Sequence, residues 1–166
     1  MEEICAGCHF DQSATPPREV PVALVSLAMD ISDSIRSIGG DGLRRRPAPT
    51  VWSPVEYLGH LRESMAFHRW LIERALSEDN PHIPTVDPDD SVAQAEYIAA
   101  EHEELIAQFD RRIRRLCEAL NSLDDADAAR TLTLGHRQIA VALIARSGWH
   151  ECHHHLHDIR RIGGLE

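Results

Sequence analysis

At 166 residues the chain has the length of one domain and is long enough to bury a real core. A net charge of −10 argues against a non-specific nucleic-acid binder, and no apolar run approaches membrane-spanning length. Nucleic acid and membrane are therefore excluded as expected partners, leaving a small-molecule substrate.

The N-terminus lacks a basic region followed by a hydrophobic stretch, so no secretion signal is expected and the expected location is the cytoplasm. Four cysteines in that setting read as thiols or metal ligands before disulfides. Aromatic residues are few, while Leu, Ala and Ile are plentiful, which suits helices.

Residues 1–16 are read as an N-terminal loop ahead of a helical domain over 17–166. The loop carries Cys5-Ala6-Gly7-Cys8-His9-Phe10-Asp11. C-x-x-C-H is the attachment motif of c-type haem, which normally follows export. A Cys-Cys-His zinc knuckle would need a fourth ligand, with Cys117 and Cys152 the only other thiols. The default expectation is a tight turn with two thiols.

Thr15-Pro16-Pro17 opens the first helix, since first-turn N–H groups have no partner within the helix. Val20, Leu24, Leu27, Ala28, Ile31, Ile35 and Ile38 form one apolar stripe, and Gly39-Gly40 ends it. Residues 41–51 read as a loop with Arg44, Arg45 and Arg46 solvated. Ser53-Pro54-Val55-Glu56 is a strong second start, with Ser53 as N-cap and Glu56 completing a capping box. That helix is expected to run to about Leu76 and carries His60.

Residues 78–90 read as a loop. A third helix is expected from Ser91, which forms a capping box with Gln94, to about Leu120, with His102 on its surface and Cys117 a buried structural thiol. Thr131-Leu132-Thr133-Leu134 is too short to imply a sheet. A fourth helix is expected from about Gln138 to Ile162, stopped by Gly163-Gly164.

That last helix holds five of the eleven histidines in His150-Glu151-Cys152-His153-His154-His155-Leu156-His157. His150 and His154 are one turn apart, a spacing at which two imidazoles can share an ion. Ile139, Leu143, Arg146, His150, His154 and His157 share one face; Val141, Ala145, Trp149, Cys152, Leu156 and Ile159 share the other. A helix with two faces to bury is central in the fold or half-covered by a partner chain, which is the physical argument for a homodimer. His150-Glu151-Cys152-His153-His154 also matches H-E-x-x-H formally, but a chain this small does not favour a zincin.

Four amphipathic helices suggest an all-α four-helix bundle, a fold that builds metal sites from side chains on facing helices. His60 on the second helix is the natural third ligand for His150 and His154. Trp52-Ser53-Pro54-Val55-Glu56-Tyr57-Leu58-Gly59-His60-Leu61 resembles the W-S-x-x-E-x-x-x-H segment of the DinB/YfiT-like metalloenzymes. The run from His150 to Ile159 resembles their H-x-x-x-H segment. The leading C-x-x-C and the H-H-L-H-D run are similar to an actinobacterial-type branch, where glycine is usual in place of His9.

The resemblance implies an up-down-down-up bundle, often dimeric, with one Zn²⁺ or Ni²⁺ on His60, His150 and His154. It also implies enzymes that use mycothiol, bacillithiol or glutathione as a thiol co-substrate for transfer or isomerisation. Three neutral imidazoles with an open position suit a bound thiolate attacking an electrophile. Arg146, one turn before His150, is the expected anchor for a substrate carboxylate, and Asp158 is placed to orient an imidazole. The rival readings are a metal-activated water, a non-catalytic metal-binding or stress-response bundle, and a biosynthetic tailoring enzyme (cyclase or hydrolase) using the same cavity.

Overall fold

The computed structural model describes residues 4–11 and 16–166. A 3₁₀ turn at Pro17–Glu19 leads into α1 (Val20–Ile38). A second 3₁₀ turn, Gly40–Arg44, precedes α2 (Pro54–Ser77). Then come β1 (His82–Ile83), α3 (Pro88–Ala95), a 3₁₀ turn at Tyr97–Ala99 and α4 (His102–Asn121). The chain closes with α5 (Asp125–Ala129), β2 (Thr131–Leu134), β3 (Arg137–Ala140) and α6 (Val141–Gly163).

The four long helices α1, α2, α4 and α6 form the bundle. α1 packs on α4 and α6, α2 packs on the same two, and α1 and α2 barely touch. The link from α1 to α2 therefore crosses a diagonal of the bundle instead of joining neighbours. The core comprises buried side chains from all four, including Leu24, Ile31, Leu58, Met65, Phe109, Leu116, Ile144 and Ile159.

The second helix starts as its sequence dictates. Ser53 and Glu56 form a capping box, with the Ser53 backbone N–H donating to Glu56 at 2.9 Å. Glu56 is nevertheless 3 % exposed, and a buried carboxylate needs a counter-charge. Arg46 supplies it through both Nε and Nη2. Burial alone would raise the Glu56 pKa, but the Arg46 and Ser53 hydrogen bonds hold it below the ordinary value. The arginine triplet is thus not a solvated run. Arg44 also leaves solvent, donating to the carbonyls of Ile98 and Ala100.

The expected third helix is two pieces. Asp87, not Ser91, caps α3 by accepting from Asp89 N–H. Glu96, at φ 52°, then breaks the helix. The break lowers the Tyr97 ring onto Gly59 of α2, where any side chain would collide with it. The segment 131–140 also differs from expectation. β2 and β3 form an antiparallel hairpin with β1 parallel to β2, so α6 begins at Val141 instead of Gln138.

Residues 4–11 lie on α6. Ile4 and Asp11 form an antiparallel bridge, and Phe10 sits edge-on to Trp149 and stacks on His150. The second face of α6 is therefore half-covered by the chain's own N-terminal loop. Among the described residues no helix is long and apolar enough to cross a membrane.

Candidate metal centre on the last helix

The histidine run contains overlapping pairs one turn apart, and neighbouring residues on a helix point about 100° from each other. Packing decides which pair looks where. Cys152, Leu156 and Ile159 are buried in the core, and this turns Glu151 and His155 toward α2. Glu151 Oε2 lies 3.1 Å from His60 Nε2 and 3.6 Å from His155 Nε2. His60, Glu151 and His155 thus form a cluster whose ligand atoms all lie within 4.8 Å of one another.

His150 and His154 face the N-terminal loop instead. Their ligand atoms group with the Cys5 and Cys8 sulfurs under the same 4.8 Å limit. The expected triad is therefore divided. His60 stands with Glu151 and His155, while His150 and His154 stand on the adjacent face.

Electrostatics reinforce the first cluster. Burial would raise the Glu151 pKa, but hydrogen bonds to His155 and His60 and their charges pull it far below the usual carboxylate range. Burial would lower the His155 pKa, but bonds to Asp158 and Glu151 push it up to about 9. Asp158 Oδ2 lies 3.1 Å from His155 Nδ1, which directs His155 Nε2 at Glu151. The same oxygen is 3.5 Å from His154 Nε2, so one carboxylate serves both faces. Trp52 packs against His60 and Tyr57 against His155, restricting both rings.

His60, Glu151 and His155 line one wall of a cavity of about 900 Å³. Its other walls include Trp52, Phe67, His68, Trp70 and Tyr97. No arginine is among the described residues lining it, so Arg146, half-buried on α6, lies outside this wall. His68 lines the same cavity. Its Nδ1 donates to the Ser64 carbonyl at 2.8 Å, which leaves Nε2 as an acceptor, and burial lowers its pKa and keeps it neutral.

The profile of the DinB superfamily matches residues 23–157. The chain belongs to the DinB superfamily. That span holds His60, Glu151 and His155 and leaves the Cys5–Cys8 loop outside. Among solved structures, YfiT from Bacillus subtilis superposes with a TM-score of 0.78 at 16% identity, over 99% of this chain and 92% of that one. YfiT is described as a probable metal-dependent hydrolase with an unusual four-helix bundle topology. This likeness shows the four-helix bundle fold of this DinB chain. No curated protein sequence matches the chain.

The remaining sequence candidates fall away from the cavity. His153 is half-buried beside Phe10, and His157 is exposed and bonded to Glu166 at 2.8 Å. His9 is exposed at φ 57° and is not in the cysteine cluster; Cys117 and Cys152 are buried elsewhere. Cys117 directs its thiol at the Pro21 carbonyl, and burial pushes its pKa up to about 11. Glu151 and His155 are the donors the sequence reading missed, His155 having been expected to point away from the metal. The signal was present, because Glu151 and His155 have the same one-turn spacing as His150 and His154.

Proposed function

We propose that this chain is a divalent-metal-dependent enzyme acting on an uncharged small molecule. His60, Glu151 and His155 are the donors, replacing the set of His60, His150 and His154 read from the sequence. The observation that carries the reading is the convergence of two imidazoles and one carboxylate, from two helices, on the wall of an open cavity. Two histidines and a glutamate are a donor set of catalytic zinc, and nickel accepts the same nitrogen-rich environment. Such an ion supplies a Lewis acid and a nucleophile that exists at neutral pH.

The residues divide the remaining work. Glu151, a carboxylate placed between the two imidazoles, would carry the negative charge that offsets a cation. Asp158 holds His155 in one tautomer and orientation. Trp52, Phe67, Trp70 and Tyr97 provide aromatic walls that bind an apolar body and exclude water. His68 lines the same cavity with Nε2 left as an acceptor, and would be the group to hold a proton there. Hydrolysis is the reaction this donor set favours, and YfiT's description as a probable metal-dependent hydrolase agrees with it.

Thiol transfer is the second reading, because the cavity lining has a specific character. Without an arginine it suits a neutral thiol of the mycothiol kind better than anionic glutathione. An open cavity of about 900 Å³ also favours either reaction over a closed, non-catalytic metal module.

The test is turnover of uncharged esters and amides, and of electrophiles with added thiols, by metal-stripped and reconstituted protein. Activity should require metal and disappear in His60→Ala and Glu151→Gln. Stoichiometric metal with full activity in His60→Ala would sink the assignment. A thiol-dependent change in the cobalt spectrum of a Cys5→Ser/Cys8→Ser variant would select transfer over hydrolysis.

A further inference from the structure

We propose that Cys5, Cys8, His150 and His154 form a second, structural zinc site that fastens the N-terminal loop to α6. It uses none of the cavity-facing ligands, and the two clusters meet at Asp158.

The ligand types and spacing are those of a structural zinc site. Cys5-x₂-Cys8 and His150-x₃-His154 fall within the C-x₂₋₄-C and H-x₃₋₅-H spacings of two-cysteine, two-histidine zinc sites. All four ligand atoms lie within 4.8 Å of one another. Cys5 Sγ is 3.6 Å from His154 Nδ1. Two ligands at ordinary Zn–S and Zn–N lengths in a tetrahedron stand about 3.6 Å apart.

The loop has the backbone of a metal knuckle. Cys5 N–H donates to the Phe10 carbonyl at 2.9 Å, and His9 N–H donates to the Cys5 carbonyl at 2.8 Å. This closes a tight turn and brings both sulfurs to one side, with the Phe10 backbone bonded to the Cys8 sulfur. The turn requires φ 57° at His9, a region that favours glycine.

Gly7 is equally constrained. A Cβ there would lie 2.9 Å from His154 Cε1 and 3.9 Å from Cys5 Sγ, so only glycine lets the loop come this close to the ring. On the opposite side of His154, Nε2 faces Asp158 at 3.5 Å, the carboxylate partner that metal-bound imidazoles usually have.

A disulfide between Cys5 and Cys8 would explain the C-x-x-C pair but not the two histidines brought onto it. All four cysteines are thiols in this structure. Zinc binding releases the two thiol protons, and the two thiolates neutralise the ion. Phe10 covers one flank of the site, packing against Trp149 and His150. Two cysteines and two histidines fill all four positions of a tetrahedral zinc, which is the donor set of a structural site.

The test uses the full chain purified under reducing conditions. Cobalt substitution should give an intense near-ultraviolet thiolate-to-cobalt band, retained in His60→Ala and in Glu151→Gln. The band should vanish in Cys5→Ser/Cys8→Ser, together with one bound zinc per chain. In the unmodified protein, zinc should protect Cys5 and Cys8 from alkylation, and a chelator should expose both. The proposal is overturned by the absence of the band, by alkylation of Cys5 and Cys8 that zinc does not slow, or by a Cys5–Cys8 disulfide in metal-free protein.

Discussion

The two clusters on α6 occupy adjacent faces of one helix and share imidazole donors, but differ in what completes each set. His60, Glu151 and His155 offer nitrogen and oxygen, come from two helices of the bundle and look into a large cavity. Cys5, Cys8, His150 and His154 offer sulfur and nitrogen, and half of them come from a short loop folded onto the helix. One arrangement borders a cavity with room for a substrate, and the other offers four protein ligands with Phe10 packed on one flank. A rotation of one residue along the same histidine run therefore separates a site suited to chemistry from one suited to holding structure. Asp158 is where they meet, because its Oδ2 faces His155 on one side and His154 on the other.

The sharpest way to break this contrast is to delete a ligand on each side. His60→Ala should abolish turnover and the metal bound at the cavity, while Cys5→Ser/Cys8→Ser should keep turnover. Equal loss of activity in both, measured at matched helical content by circular dichroism, would merge the two sites into one.

The scaffold behind the cavity is tested by Arg46→Ala, which strands the buried Glu56 carboxylate one turn before His60. The expected cost is about 3 kcal/mol in chemical denaturation. The pH dependence follows from the depressed Glu56 pKa. Its stabilisation is complete above the unfolded value of about 4.3 and is lost as pH falls through the lower folded value. Acid titration of Arg46→Ala should therefore show a shallower loss of stability than the unmodified chain.

Asp158→Asn probes the shared carboxylate. Metal affinity at the cavity should fall roughly 10- to 100-fold, as expected for losing a partner that orients a ligand. Calorimetric titration should show the cysteine site weakened as well; an effect confined to one site would remove Asp158 as a link.

The smallest effect is expected from Gly7→Ala. The added methyl must displace the His154 ring or the loop, at about 1 kcal/mol, read as weaker zinc retention with unchanged turnover.

Much of the bundle was legible in the sequence because its signals are local. The stripe from Val20 to Ile38 and the Ser53/Glu56 box each report on one or two turns of chain, and both elements lie where those residues place them. The break at Glu96 was not legible, because its cause is the seat that Gly59 offers Tyr97 from another helix. The Arg46–Glu56 pair was hidden for a similar reason. An arginine triplet looks solvated until a buried carboxylate is found beside it.

The sequence by itself determined that α6 would carry histidines and acids one turn apart, since helical periodicity needs no neighbours to act. It also determined that His60 would lie on a second helix with a firm start. Only the tertiary structure decided which pair His60 meets. Burial of Cys152, Leu156 and Ile159 sets the rotation of α6, and that rotation turns Glu151 and His155 inward. The same rotation leaves His150 and His154 for the cysteines, because successive residues on a helix point about 100° apart.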